Sequence, residues 1–406
     1  MDVIFPTCEW LERRRRRPPE SGWIQDMRQN EHYRPFPVLT LDGDAYECGV
    51  QHGTDAADRV AKTIEIYLSA FEAETGLGLE AVRERARKYA THIEALDSDI
   101  MTEIRGIAEG ARQNVEDIIA VNCRTELLFG SRAGNEPVSE CTTLVALPDA
   151  TRDGRILIGK NWDWRERCID SVVVLRIKQR DKPRLCMIVE AGMVGRDGCN
   201  EDGIVVCGNL LTSNEDTGKT GVPIPILRRR ILHARNYYSA IDTLLRAERG
   251  ASGNYVIAHR DGVAIDFETT PAHAYPIYPE RGLLTHANHF QSQVAQITGV
   301  AKYYTADSLY RDFRARHLLE PLIGEITAED MKAVLRDQFG APRAICRSPH
   351  DYPGHAATMT IASMVFDPAA GIMEVAAGQP THSSYQRVAL PSMRERRFER
   401  LVGSAQ

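Results

Sequence analysis

Cys141-Thr142-Thr143-Leu144-Val145-Ala146-Leu147 and, past Asp149, Asp153 and Gly154, Ile156-Leu157-Ile158-Gly159-Lys160-Asn161-Trp162-Asp163-Trp164 decide how this chain folds. Two apolar runs separated by turn formers read as a β-hairpin. The hairpin carries a thiol at the start of one strand and a carboxylate near the end of the other. Folding it back brings Cys141 and Asp163 together, and a nucleophile beside a charged orienting group is a candidate active site. The oddity is position: 140 residues precede the thiol.

Outward from this hairpin the texture changes in both directions. Upstream, from about Tyr46 to Gly130, apolar residues recur at helical spacing, with Asp97 as an N-cap candidate. Downstream, short strands are expected near 171–178, 184–190, 203–207, 255–259, 264–268, 274–278, 282–285, 358–366 and 372–377. Asn200-Glu201-Asp202-Gly203 and Asp261-Gly262 supply tight turns. Helical segments near 225–233, 239–248, 302–315 and 327–338 interrupt the strands. Runs of strands followed by pairs of helices predict an α+β fold with helices layered on stacked antiparallel sheets. Residues 131–140 are polar, contain Gly134 and Pro137, and read as an exposed connection immediately before Cys141.

Composition narrows the function. A chain of 406 residues can bury a large core. Its formal net charge of −6 gives no electrostatic case for nucleic acid. No apolar run is long enough to span a membrane, and the first residues do not read as a secretory signal. Nine cysteines without a CxxC pair point to a reduced, cytoplasmic protein without a structural zinc site. The basic run Arg13 to Arg17, before Pro18-Pro19, reads as a solvated arm, with an anionic-partner patch as the sharper alternative.

An internal cysteine becomes chemically special if the Glu140–Cys141 bond is cut. Cys141 would then carry a free α-amine, with a pKa of about 8, able to act as base for its own side chain. The thiol could make that cut itself by attacking the preceding carbonyl in an N-to-S acyl shift.

Four stretches in order, Cys141-Thr142-Thr143, Gly159 to Trp164, Asn254 to Arg260 and Leu284 to Phe290, resemble the acyl-coenzyme A:6-aminopenicillanic acid acyltransferase family of self-cleaving N-terminal-nucleophile hydrolases. Gly49-Val50-Gln51-His52-Gly53 and Arg124-Thr125-Glu126 look like the same family. The resemblance runs from about residue 40 to about residue 380. It implies an αββα four-layer sandwich with a helical N-terminal segment. It also implies a precursor split into chains 1–140 and 141–406 that stay together as one structural domain, an α/β heterodimer open to further association. Carried across, Cys141 is the nucleophile and, through its amine, the base. Asp163 orients the amine or contacts substrate, Asn288 helps form an oxyanion hole, and Arg347 is the downstream arginine expected near the site. Thr142, Trp162 and Trp164 are assigned to substrate contact, with one tryptophan facing inward and the other along the cleft. One departure stands out: the family's penicillin-forming member cuts after glycine, and here Glu140 precedes the cysteine.

The bland readings are a buried structural thiol at Cys141 and a turn cap at Asp163. His286 and His289 suggest a metal, but no carboxylate sits at a matching spacing, so neither a metal nor any cofactor is expected. His52 and His259 read as structural. The expected activity is hydrolysis of a small N-acyl or aminoacyl amide through an acyl-cysteine. Coenzyme A-dependent N-acyl transfer, with an amide or thioester donor, is the first alternative. A non-catalytic binding protein on the same fold is the second.

Overall fold

The computed structural model describes residues 33–129, 140–300, 306–352 and 355–391. The basic run at 13–17 and all of the expected connection except Glu140 lie outside these residues.

Strand β1 (Val38–Gly43) precedes a helical block: Ala45–Asp55, Ala57–Thr75, Leu79–Leu96, Ser98–Ala111, Val115–Asn122 and Arg124–Phe129. The hairpin of β2 (Glu140–Ala146) and β3 (Leu157–Arg165) follows. Next come β4 (Val172–Gln179), β5 (Leu185–Glu190), β6 (Asp197–Asn200) and β7 (Ile204–Cys207). After helices Ile224–Leu232 and Tyr237–Arg246 the chain forms β8 (Gly253–His259), β9 (Val263–Thr269), β10 (Ala274–Ile277) and β11 (Leu283–His286). Helices Gln293–Ile297, Ala306–Leu319 and Ala328–Leu335 lead to β12 (His350–Tyr352), β13 (His355–Asp367), β14 (Ile372–Ala377) and β15 (Gln386–Ala389).

An eight-stranded sheet has the order β1-β4-β5-β6-β7-β8-β9-β10, and a seven-stranded sheet the order β11-β2-β3-β13-β14-β15 with β12 on β13. Helices Ile224–Leu232 and Tyr237–Arg246 pack on β6 to β8, and helices Ala306–Leu319 and Ala328–Leu335 pack on β2, β3, β11 and β13. This is the expected αββα arrangement. One apolar cluster joins the N-terminal helices, the eight-stranded sheet and the inner face of the other sheet. A second fills the space between the seven-stranded sheet and its helices, around Leu144, Leu157, Leu319 and Leu335.

Several local expectations match in place. Asp97 caps the Ser98–Ala111 helix by accepting from Asp99 N–H. Hairpins β6–β7 and β8–β9 turn at Gly203 and Gly262, at φ +91° and +90°, values that favour glycine. Strand β1 was not expected; it pairs parallel to β4 from its edge, so all its residues but Leu41 are only partly buried and lack the pattern of a core strand. The last of the expected helical stretch breaks at Cys123 into Val115–Asn122 and Arg124–Phe129.

The resemblance carried by Gly49 and Gly53 has a packing cause. Helices Ala45–Asp55 and Ser98–Ala111 touch backbone to backbone through Gly49, Gly53, Gly106 and Gly110. A Cβ on Gly53 would stand 2.3 Å from Ile107 O, and one on Gly106 would stand 2.5 Å from Tyr46 O. Neither obstacle is a flexible side chain. Gly53→Ala or Gly106→Ala is therefore expected to destabilise the fold by about 1–3 kcal/mol, measured by denaturant unfolding. An unchanged midpoint would show that the helices separate freely.

Candidate active site

Alternation along β2 and β3 divides the site. Cys141 pairs with Trp162, Thr142 with Asn161, Thr143 with Lys160, and Glu140 with Asp163. Side chains alternate between the faces of a sheet, and directly paired residues share a face. Cys141, Lys160, Trp162 and Trp164 point between the sheets. Thr142, Asn161 and Asp163 point to the helices. Lys160 accordingly donates to Asn209 Oδ1 at 2.8 Å and to Gly208 O, whereas Asn161 Nδ2 reaches Leu335 O and Ile345 O at 2.8 and 2.7 Å. The hairpin brings Asp163 opposite Glu140, beside the Glu140–Cys141 bond, and not onto the thiol's face.

Both main-chain polar groups of Cys141 are held by buried side chains. Its N–H donates to Asn288 Oδ1 at 2.6 Å, and its carbonyl accepts from Arg311 Nη1 at 2.6 Å. Arg311 Nη1 also donates to Thr142 Oγ1 at 2.9 Å, and Nη2 to Asn288 Oδ1 at 3.1 Å. Two donors converging on one atom identify it as the amide oxygen, so Asn288 Nδ2 faces Leu210 O, at 2.9 Å. Asp307 balances the charge: its Oδ2 accepts from Arg311 Nε at 3.1 Å and from Arg347 Nη2 at 3.0 Å.

Asp163 Oδ1 accepts from Thr360 Oγ1 at 2.5 Å, and Thr360 Oγ1 in turn accepts from Arg347 N–H at 2.8 Å. Asp163 Oδ2 is buried without a hydrogen-bond partner. Burial pushes the Asp163 carboxyl up to about 7, against the pull of Arg311, the Thr360 hydrogen bond and Lys160.

On the other face, a cleft opens beside Cys141 and Trp164, with Arg124, Arg196 and Arg228 in its walls. Arg124 lies 4.2 Å over the Trp164 ring and donates to Glu190 Oε2 at 3.0 Å. Trp164 Nε1 donates to Tyr67 Oη at 2.6 Å, and that hydroxyl donates to Glu190.

The structure thus gathers Cys141, Asp163, Asn288 and Arg347 around one backbone segment. Arg347 N–H bonds the Thr360 hydroxyl that bonds Asp163, and Arg311 donates to the Cys141 carbonyl. Thr142 and Asp163 face away from the cleft, so the expectation of substrate contact by Thr142 is corrected by the strand's alternation. The two tryptophans share one face, two residues apart, instead of dividing inward and outward. Arg311, Asp307 and Thr360 were missed. A signal for the first two existed: Asp307, Ser308 and Arg311 continue the buried stripe of Ala315 and Leu319 along their helix, where apolar residues would be the default.

His286 belongs to the frame of the site. Its Nε2 lies 2.9 Å from Glu268 Oε1 and its carbonyl accepts from Asn209 Nδ2 at 3.0 Å. Burial disfavours its charge, but Asp266 and Glu268 outweigh that and raise it to about 9. Burial lowers His289 to about 3. His52 Nε2 accepts from Gly192 N–H, and His259 bonds the Asp202 carbonyl. Among the described residues no group of three or more His, Cys, Asp or Glu is arranged to hold a metal, and no helix is long and apolar enough to cross a membrane.

Residues 150–382, more than half of the chain, match the sequence family described as acyl-coenzyme A:6-aminopenicillanic acid acyl-transferase. The chain is 26% identical over 348 residues to the acyl-coenzyme A:6-aminopenicillanic-acid-acyltransferase 40 kDa form of Emericella nidulans, covering 85% of this chain and 93% of that protein. Among solved structures it is similar to an N-acylethanolamine-hydrolyzing acid amidase ortholog from Caenorhabditis elegans, with a TM-score of 0.41 and 16% identity over 56% of this chain and 93% of that one. A variant of conjugated bile acid hydrolase from Clostridium perfringens gives a TM-score of 0.42 and 14% identity over 58% and 89%.

The raised Asp163 carboxyl predicts a pH dependence for the uncleaved chain. An aspartate with an unfolded pKa near ~4 and a folded pKa of about 7 contributes stability that is complete below about pH 4 and is lost as the pH rises towards 7. In a Cys141→Ala background, Asp163→Asn is expected to flatten this fall. Relative to its parent, the variant should gain at least about 1 kcal/mol between pH 4 and pH 8 in denaturant unfolding. Parallel pH profiles would mean that the carboxyl is already ionised in the fold.

Proposed function

This chain belongs to the acyl-coenzyme A:6-aminopenicillanic acid acyl-transferase family, which makes it an enzyme of acyl chemistry at amide bonds; on that premise we propose that it is a precursor that cuts its own Glu140–Cys141 bond and then hydrolyses a small N-acyl amide through an acyl-cysteine. One observation carries this reading: buried side chains hold both the nitrogen and the carbonyl of Cys141. An ordinary strand residue meets its neighbours through main-chain bonds. Here one helix-borne arginine and one asparagine serve the main chain of one cysteine.

In the first reaction the Cys141 sulfur attacks the Glu140 carbonyl, a C–S bond forms, and the C–N bond breaks. The thiol proton passes to the departing nitrogen. Asp163, opposite Glu140 and with its carboxyl raised to about 7, adds a second proton and is left ionised beside the new ammonium. Water then releases the Glu140 carboxylate and restores the thiol. In the mature site the α-amine of Cys141 takes the thiol proton. The thiolate attacks the substrate carbonyl, and the tetrahedral oxyanion is stabilised by the second N–H of Asn288 Nδ2, the first being bonded to Leu210 O. Collapse expels the amine and leaves the acyl-cysteine. Water, activated by the α-amine, clears it. The apolar cluster that runs across position 140 supports two chains that stay associated.

Purified protein is expected to run as two chains on a denaturing gel, with Cys141 at the new N-terminus by mass spectrometry. Cys141→Ala should remain one chain and lose activity on acyl anilides. Normal processing of Cys141→Ala would overturn self-cleavage by the thiol. Asn288→Ala is expected to lower turnover by ~100-fold or more. A loss below ~10-fold would remove Asn288 from the oxyanion site.

A further inference from the structure

Arg196 is a buried cation that makes no hydrogen bond to another described residue. Its guanidinium lies 3.5 Å over the ring of Trp162, the residue paired with Cys141, and lines the cleft beside the thiol. The residue is only 8% exposed. Its nearest carboxylate, Asp197 Oδ2, is 3.6 Å from Nε, beyond hydrogen-bond distance, and Nε is buried without a partner. No hydrogen bond from this guanidinium to any described residue is found.

The neighbouring cations are engaged. Arg124 is bonded to Glu190 at 3.0 Å. Arg228 Nη1 donates to Asp197 Oδ1 at 3.2 Å, and Gly208 N–H donates to the same oxygen at 3.1 Å. Lys160 stands 4.0 Å from Asp197 as well as bonding Asn209. Asp197 is therefore surrounded by three cations, and Arg196 is the surplus one. Burying an unpaired charge is costly, and the cost is recovered only when a counter-charge arrives.

We infer that the substrate carries a carboxylate that docks on Arg196, one strand-pair from the thiol. The inference rests on the hydrolase reading above for the word substrate, but the anion site rests on Arg196 alone. A guanidinium placed over an indole keeps its in-plane N–H fork, which matches a carboxylate through two parallel N–H···O bonds. The carboxylate can belong to the acyl part or to the amine part of the amide, and the two sources are separable by experiment.

The acyl-side arm compares adipic acid mono-4-nitroanilide with hexanoic acid 4-nitroanilide. The amine-side arm compares N-hexanoyl-4-aminobenzoate with hexananilide. In one arm the carboxylate compound is expected to have a kcat/KM at least ~10-fold higher, carried by KM, and Arg196→Gln should reduce that preference to within ~3-fold. Arg196→Lys should retain part of it. A preference absent from both arms, or one that survives Arg196→Gln unchanged, overturns the inference. If no anilide is turned over, the hydrolase reading fails, and calorimetry with adipic acid monoanilide, N-hexanoyl-4-aminobenzoate and hexananilide decides the anion site. The wild-type protein must bind one of the two carboxylate compounds at least ~10-fold more tightly than hexananilide, a comparison that needs no variant to fold. Equal binding of all three overturns the inference.

Discussion

Everything at this site hangs on the fork of Arg311. One fully buried guanidinium touches the carbonyl of Cys141, the hydroxyl of Thr142, the amide oxygen of Asn288 and the carboxylate of Asp307. It thereby ties the first residues of β2 to the loop after β11 and to the helix Ala306–Leu319. A lysine could not replace it, because four separate acceptors at fixed angles need a planar, pre-oriented donor set. The cost of desolvating it is offset only because Asp307 lies 3.1 Å away and every terminal nitrogen has work to do. Removing either partner of such a pair typically costs about 3–5 kcal/mol, so the position of Cys141 and the stability of this layer are one property.

The pleat of the sheet then determines which chemistry happens where. A carboxylate on the thiol's own face would repel the thiolate and disfavour the nucleophile. Alternation instead sends the Cys141 side chain to the cleft and the Asp163 side chain to the helices, opposite the residue that precedes Cys141. Strand β3 is buried on both faces, yet it carries Lys160, Asn161, Asp163 and Arg165. Such a strand would normally be continuously apolar. Its polar residues persist because each meets a specific partner on its own side.

Much of this was legible in the residues. The hairpin, the helical first third, the paired helices and the turns at Gly203 and Gly262 follow from periodicity and turn chemistry, which are local. Cys141, Asp163 and Asn288 came from short motifs in order, and the fold gathers them. Arg311 was not legible in the same way, because its role depends on where a helix lands and not on its neighbours in sequence. Its trace was a charged residue on a buried stripe, a pattern that becomes meaningful only once the stripe's facing sheet is known. Strand β1 escaped because an edge strand half exposed carries little pattern. The direction of Asp163 was misjudged because a hairpin argument counts proximity along strands and overlooks the one-residue offset that flips a side chain to the other face.

The same offset gives the proposed cleavage its direction. Before the cut, the buried site holds an amide nitrogen and a carboxyl raised to about 7, both neutral in the acidic half of that range. After the cut, the nitrogen is an amine that is mostly protonated near neutral pH. An isolated ammonium in this environment would be strongly disfavoured. Asp163 Oδ2, the oxygen without a partner, lies opposite residue 140 and is the group that can accept it. The reaction thus exchanges two neutral groups for an ion pair without changing the charge of the site. It also gives the unpartnered Asp163 oxygen a donor. That exchange offsets part of the desolvation cost of Asp163 in the precursor. A carboxylate pulled down by a new ammonium stays ionised where the uncleaved one would not. On this argument the precursor carries the instability and the cleaved enzyme carries the pair, which favours cutting with glutamate or glycine at position 140.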